Sequence, residues 1–246
     1  VIFIAACFSK KSAVTFGNML PVLFASLIIC VLIMLEPNMS ITMCVAFVVV
    51  IMLFVGGAKF KHFALMAAPA VIALIAIEPY RLKRIAAFLD PWSSPLGEGY
   101  QLIQSYYALG AGGLFGVGLF NSRQKYLFLP FAESDFIFSV IGEELGWFGC
   151  LIVMLIYGVI IWRGILIALR ASSRFDSYLA AGITSVIAVQ TLLNIAVVTG
   201  SIPPTGLPLP FISAGGTSLV MFMSGVGILE RIAAKSHKSI AHHKMY

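Results

Sequence analysis

Apolar runs of bilayer length recur along this chain, and they leave few folds open to it. Residues 19–35, 41–55, 63–77, 145–167, 178–199 and 218–232 are dominated by apolar side chains, with short polar or Pro/Gly-containing breaks between most of them. Crossing a bilayer core takes roughly 20 such residues in a helix. In hydrocarbon every backbone polar group must be satisfied internally, so only helices and closed barrels span. The runs are continuous rather than alternating, which excludes a barrel. With 60% apolar and 11% charged residues in 246, the chain carries far more apolar surface than a soluble domain needs. The expected fold is all-α: a polytopic helical membrane bundle, read as a single membrane domain over 1–246 with about six full spans plus part of one.

Residues 1–8 are apolar but too short to span, and the chain lacks an initiator Met. They read as the tail of a helix whose start is missing, so a piece of a longer protein is expected. No basic region precedes this stretch and no small-residue cleavage site follows it, so it is not a signal peptide. Cys7, Cys30, Cys44 and Cys150 lie in apolar runs without paired spacing and read as packing residues rather than disulfides or metal ligands. The net charge of +6 is scattered through short loops, which argues against nucleic acid. If the spans alternate, eleven of the sixteen Lys and Arg residues fall on one side, and by the positive-inside rule that side is cytoplasmic. The basic tail 235–246 is then cytoplasmic. The connection 80–134 becomes a long extracellular loop with an interfacial or re-entrant segment, and the Pro/Gly-rich break 200–216 also faces outward.

Eight of the ten acidic residues fall on or near that outer side. Glu133, Asp135, Glu143 and Glu144 sit where a polar connection passes into a long apolar run. A carboxylate at such a border must be solvated by a cavity, paired, or used. Asp135, walled in by Phe136, Ile137 and Phe138, is the candidate for chemistry; Glu133 fits a helix N-terminal charge better. For Glu143 and Glu144 an ion pair or a buried hydrogen bond within the bundle ranks ahead of catalysis. Arg81 and Arg84 share a helix face, and guanidinium forks suit phosphate. Anchoring to anionic headgroups competes evenly with that role. Gln101, Gln104, Ser105 and Ala108 make a polar, small stripe at helical spacing, whose bland alternative is a packing element covering the bundle mouth. Gln124 and Lys125 add an amide and a cation shortly before Asp135. Four prolines stiffen the run from Pro203 to Pro210, and Gly215, Gly216 and Thr217 follow at a helix start, an arrangement friendly to anions. Its alternative is a structural hairpin.

These motifs together resemble the SEDS family (shape, elongation, division and sporulation) of bacterial membrane proteins, and its division/sporulation branch most. The likeness covers nearly the whole chain. It is carried by Tyr80-Arg81, Arg84-Ile85, Phe88-Leu89-Asp90-Pro91-Trp92, Gly99-Tyr100-Gln101, Gln104-Ser105 and Gln124-Lys125. It continues through Asp135-Phe136-Ile137-Phe138, Glu143-Glu144-Leu145-Gly146, Thr205-Gly206, Leu209-Pro210-Phe211-Ile212-Ser213 and Gly215-Gly216. The resemblance implies a bundle of about ten spans, of which roughly the first third is missing here. It implies polymerisation of lipid II, the disaccharide-peptide on undecaprenyl diphosphate, in the bacterial cytoplasmic membrane. It also implies a class B penicillin-binding protein, a transpeptidase, as partner. The family's essential acid maps onto Asp135. Three positions depart from the family pattern: Asn38 in the Glu36-Pro37-Asn38 turn, the Pro130 to Asp135 segment, and Ala214 in place of a common Tyr.

The expected reaction is glycosyl transfer. Asp135 acts as general base on a sugar hydroxyl. Arg81, Arg84 and Lys125 hold the diphosphate, and a divalent cation, Mg or Mn, is an option for sharing that task. Gln101, Gln104, Ser105, Gln124, Glu143, Glu144, Ser213, Gly215 and Gly216 complete the expected substrate-binding set; no metal ligands are assigned. The alternatives are a lipid II flippase, which should place ionisable groups near the midplane, and a non-enzymatic scaffold for the transpeptidase.

Overall fold

The computed structural model describes residues 1–10, 16–36, 39–58 and 85–243. The expected span 63–77 and the cations Arg81 and Arg84 lie outside the described residues. All the regular structure among the described residues is helical. In chain order the helices are α1 (Ile2–Ser9), α2 (Phe16–Leu35), α3 (Met39–Val55), α4 (Tyr100–Gly112), α5 (Arg123–Leu127), α6 (Ile137–Arg170), α7 (Arg174–Val198) and α8 (Gly216–His243). Residues 85–89 are also helical, and a short 3-10 turn covers Pro91–Ser93. Among these, Ile137–Arg170, Arg174–Val198 and Gly216–His237 are long and apolar enough to cross a membrane, and Met19–Leu35 and Ser40–Val55 are shorter apolar helices. On α6 the apolar side chains of Ile152, Leu155, Ile156 and Val159 are exposed at i, i+3, i+4 and i+7. A water-soluble protein buries such a stripe; one that stays open suits lipid.

The chain divides into two compact units. One contains Val1–Met66, Gly158–Val189 and Leu219–Tyr246. Its core includes Phe8, Met19, Val22, Met52, Leu53 and Ile187. The Phe8 ring meets Tyr178 edge-on at 5.8 Å. At the start of α7 the Ser173 hydroxyl accepts the Asp176 N–H at 3.1 Å, and Lys235 Nζ donates to Asp176 Oδ2 at 2.6 Å. The Lys235 side chain is 54% exposed, so this ion pair contributes under about 1 kcal/mol.

The other unit contains Ala67–Tyr157 and Gln190–Ser218. Its apolar cluster is built from Leu129, Ala132, Phe136, Phe138, Val140, Cys150, Tyr157, Val197, Val198 and Leu209. Lipid tails are as apolar as these side chains, so polar ties matter more to helix packing here than in water. One such tie joins three helices. The buried Ser105 hydroxyl of α4 donates to the Val198 carbonyl at the end of α7 at 2.8 Å. Having given its proton there, it accepts from Ser139 of α6 at 2.7 Å.

Helix α6 starts at Ile137, eight residues before the expected span 145–167, and it is not continuous. Gly146 has φ 70° and ψ −167°, a region open essentially to glycine alone. In an unbroken helix the carbonyls of Glu143 and Glu144 would accept from residues 147 and 148. Instead they accept from the Val117 and Gly118 N–H groups at 2.9 and 3.0 Å. The freed N–H groups of Trp147 and Phe148 donate to the carbonyls of Gly113 and Leu114 at 2.9 and 3.3 Å. The glycine-rich segment after α4 is thus spliced into the gap, and all four backbone groups are satisfied. That is the condition under which non-helical backbone is tolerated at membrane depth.

Candidate functional site

Asp135 stands two residues ahead of α6, in a turn that the backbone itself ties. The carbonyl of Phe131 accepts the N–H groups of Ser134 and Asp135, both at 3.1 Å. Phe131 has φ 55°, a left-handed conformation uncommon outside glycine, and its ring is 71% exposed. The next residues, Phe136 and Phe138, are buried and anchor the turn in the apolar cluster.

Three successive carbonyls of this turn are then held from outside it. Ala214 N–H donates to Glu133 at 2.8 Å. Ser213 Oγ donates to Ser134 at 2.5 Å, and Asn194 Nδ2 donates to Asp135 at 2.8 Å. Two of these donors come from the Pro-rich break and one from α7. The sequence explains the arrangement. Pro203, Pro204, Pro208 and Pro210 have no N–H, so the run 203–210 has twice as many carbonyls as N–H groups, and side chains of neighbouring elements supply donors to it. Asn194 reaches Leu207 at 2.7 Å, Gln190 reaches Pro208 at 2.9 Å, and the Tyr157 hydroxyl bonds the Pro210 carbonyl. Gly206, at φ 65°, lies against the carboxylate: a Cβ there would stand 3.3 Å from Asp135 Oδ2. Burial lifts the Asp135 carboxyl above the ordinary carboxylate range, and a hydrogen bond from Ser134 opposes the rise. Among the described residues no cation is paired with it.

The other expected site residues divide into engaged and unengaged groups. Glu143 is 2% exposed; its carboxylate accepts from Ser122 Oγ at 2.5 Å and from the Arg123 N–H at 3.1 Å. Ser122 in turn caps α5 by accepting the Lys125 N–H at 3.0 Å. This is the buried hydrogen bond anticipated as the alternative for that residue. Ser105 is likewise engaged by Val198 and Ser139. Gln101 and Gln104 are half-buried on α4. Gln124 and Glu144 each keep a buried side-chain oxygen without a hydrogen-bond partner among the described residues. Lys125 Nζ stands 5.4 Å from the Tyr126 ring centre and 5.9 Å from that of Phe120, within cation–π range. Ser213 is brought directly onto the Asp135 turn, while Gly215 and Gly216 are exposed at the start of α8. Asn194 and Gln190 were not anticipated. Their signal was two amides at i, i+4 in the mostly apolar second half of α7. Among the described residues no three His, Cys, Asp or Glu side chains converge on a metal position.

Comparison with known proteins gives a consistent picture. The FtsW/RodA/SpoVE family profile, described as a cell cycle protein, matches residues 1–238. Stage V sporulation protein E of Bacillus subtilis is 45% identical over 208 residues, covering 83% of this chain and 57% of that protein. The probable peptidoglycan glycosyltransferase FtsW of Trichlorobacter lovleyi is 42% identical over 221 residues, covering 89% of this chain and 58% of that one. This chain therefore spans less than two thirds of the length of these relatives. Among solved structures, a chain of a peptidoglycan synthase complex that coordinates polymerization and crosslinking superposes with TM-score 0.77 at 28% identity, over 95% of this chain and 66% of that one. The rod shape determining protein RodA of Thermus thermophilus gives TM-score 0.61 at 26% identity, over 92% of this chain and 59% of that one.

Proposed function

Because the chain belongs to the FtsW/RodA/SpoVE family, the SEDS family of multi-pass membrane proteins, we propose that the protein it represents is a peptidoglycan glycosyltransferase. It polymerises lipid II into glycan strands on the outer face of the bacterial cytoplasmic membrane, in division or sporulation. The observation that carries this is the Asp135 turn. One half-buried carboxylate is fixed through three consecutive carbonyls at the head of a membrane helix, with no cation among the described residues neutralising it.

In the proposed reaction an acceptor sugar hydroxyl attacks the anomeric carbon of the donor. The glycosidic C–O bond forms as the bond to the diphosphate oxygen breaks, and the hydroxyl proton passes to Asp135. General-base help of this kind contributes roughly 100- to 10,000-fold. The diphosphate leaves with the electron pair. Lys125, together with Arg81 and Arg84 outside the described residues, is assigned to hold it. Gln124 and Glu144, each with an unengaged buried oxygen, suit donors on the sugar or peptide. Gln101, Gln104, Ser213, Gly215 and Gly216 complete the proposed lining, and Glu143 supports it by fixing Ser122 and Arg123.

Residues 1–246 form one membrane domain, with 80–134 as the outer connection and 235–246 as a cytoplasmic tail, following the distribution of Lys and Arg. A class B penicillin-binding protein is the proposed partner. Likeness to a chain from a peptidoglycan synthase complex supports it. The deciding experiment uses the full-length protein with its transpeptidase and purified lipid II. Asp135→Asn should abolish polymer formation while lipid II still binds; normal polymer yield would remove Asp135 from the chemistry.

A further inference from the structure

We propose that Asn194 is a positioning residue for Asp135, one whose forked amide holds the Asp-bearing turn and the Pro-rich break in a fixed register. The proposal rests on Asp135 being the general base. Asn194 is 1% exposed within α7, and its Nδ2 lies 2.8 Å from the Asp135 carbonyl and 2.7 Å from the Leu207 carbonyl. Both partners are carbonyls, which only accept, so the amide nitrogen must face them and the side-chain orientation is fixed by chemistry.

The position of this fork matters. The carbonyls of Glu133 and Ser134 are held by Ala214 and Ser213, which belong to the same break that they fasten. Gln190 ties α7 to that break, but to Pro208 alone. Among the described residues Asn194 is the one α7 side chain hydrogen-bonded to both the turn and the break. Gly206 follows Thr205 next to Leu207 and abuts the Asp135 carboxylate. The two carbonyls on the fork therefore bracket the surroundings of that carboxylate: one belongs to Asp135 itself, the other to the neighbour of the residue that shields it. A short amide in a buried helix loses little freedom in making both bonds, so the register it sets is stiff. Residues 190–198 and 201–216 carry no ionisable side chain, and Glu133, on the turn itself, is exposed. The acid limb of the rate therefore reports the surroundings of Asp135 with little interference from these elements.

The test compares Asn194→Asp, Asn194→Ala and Asn194→Gln in the full-length protein with its transpeptidase. Asn194→Asp keeps the shape but replaces the two amide N–H donors by a carboxyl whose single proton can serve only one of the two carbonyls. For it, kcat on lipid II should fall about 100-fold, the scale of a misplaced catalytic group, with KM little changed. Asn194→Gln, which retains an amide donor, should recover most of that loss. In Asn194→Ala the acid limb should move to lower pH as water reaches the loosened turn. Amide hydrogen exchange over residues 131–140 should quicken about tenfold in the Asp and Ala variants, a measurement that needs no turnover. Unchanged exchange there overturns the proposal whatever the activity. So does a fall in kcat with an unmoved acid limb and no rescue by Gln, which marks a packing amide. A wild-type protein that binds lipid II but never polymerises it overturns the glycosyltransferase assignment instead, and exchange still decides the fork.

Discussion

Ser213 Oγ donates to the Ser134 carbonyl at 2.5 Å while it accepts the Leu209 N–H at 2.7 Å. One hydroxyl thus closes the Pro-rich break on itself and fastens it to the residue beside Asp135. Leu209 is a scarce donor there, flanked by two prolines. In Ser213→Ala both the Leu209 N–H and the Ser134 carbonyl lose their partner, at a cost of about 1–3 kcal/mol. The expected result is a lower melting temperature in detergent and reduced turnover. Ser213→Thr, which keeps the hydroxyl, should restore both; equal losses in Ala and Thr would show that the hydroxyl is not what matters.

The raised pKa of Asp135 fixes the direction of a pH effect. A general base works only when ionised, so the rate should climb as pH rises through the folded-state value. Because desolvation holds that value above the usual carboxylate range, the acid limb of kcat should lie above about pH 4. Rates measured across acidic pH with saturating lipid II check this. An acid limb at the value of an exposed carboxylate would mean that the site is wet during turnover.

The same shift has a consequence for stability. The folded form holds the Asp135 proton more tightly than the unfolded chain, so between the two values the folded state binds more protons. Stability from this group is therefore present at low pH and lost as pH rises through the folded-state value. At neutral pH an ionised, half-buried Asp135 is a cost that Asn removes. Asp135→Asn should melt higher than wild type at neutral pH and lose that advantage below about pH 4, where the Asp135 carboxyl is protonated in the folded and unfolded chain alike. For the proposed general base, a fold stabilised by its removal is the pattern expected of a strained functional site.

Two parts of this arrangement stand out in the sequence, for specific reasons. Asp135 stood out because carboxylates are expensive at the edge of an apolar run. The Pro-rich break stood out because prolines cannot continue a helix, and α8 does begin at Gly216 as its end suggested. The interruption of α6 was hidden. A glycine within an apolar run carries no sign that its φ is positive, and the segment that fills the gap lies some thirty residues earlier in the chain. Hydropathy counted a continuous span from Leu145, whereas the helix enters at Ile137 and carries Glu143 and Glu144 inside it. Asn194 was missed for a related reason: hydropathy averages one amide away among apolar neighbours, and its two acceptors are backbone atoms that a side-chain pattern does not display.

Lys125 provides a separable test of diphosphate binding. Its ammonium faces the Phe120 and Tyr126 rings, which orient it without neutralising it. Lys125→Gln should raise KM for lipid II roughly 10- to 100-fold with a smaller effect on kcat, since a charge-assisted hydrogen bond contributes about 1.5–3 kcal/mol. The salt dependence of binding should weaken in parallel. A variant with unchanged KM at low ionic strength would remove Lys125 from the headgroup site and leave its role to the aromatic contacts.

The splice at Gly146 makes the sharpest structural prediction. A side chain at this position meets two obstacles at once. Its φ of 70° and ψ of −167° are closed to L residues, and an added Cβ would run into the Gly116 nitrogen and the Leu114 carbonyl oxygen. Strain in this region alone costs about 1–3 kcal/mol. The Cβ contact adds to it, because the obstacles are backbone atoms and not flexible side-chain ends. The four exchanged hydrogen bonds between residues 113–118 and 143–148 would loosen together. Gly146→Ala should therefore destabilise the protein, and the control is Gly158→Ala, at a helical glycine on the same helix with open space beside it. At Gly158 the substitution should stabilise slightly, since Ala favours a helix over Gly by about 1 kcal/mol. Melting temperatures of the two variants in the same detergent settle the comparison: equal shifts would show that the break is not maintained in the protein.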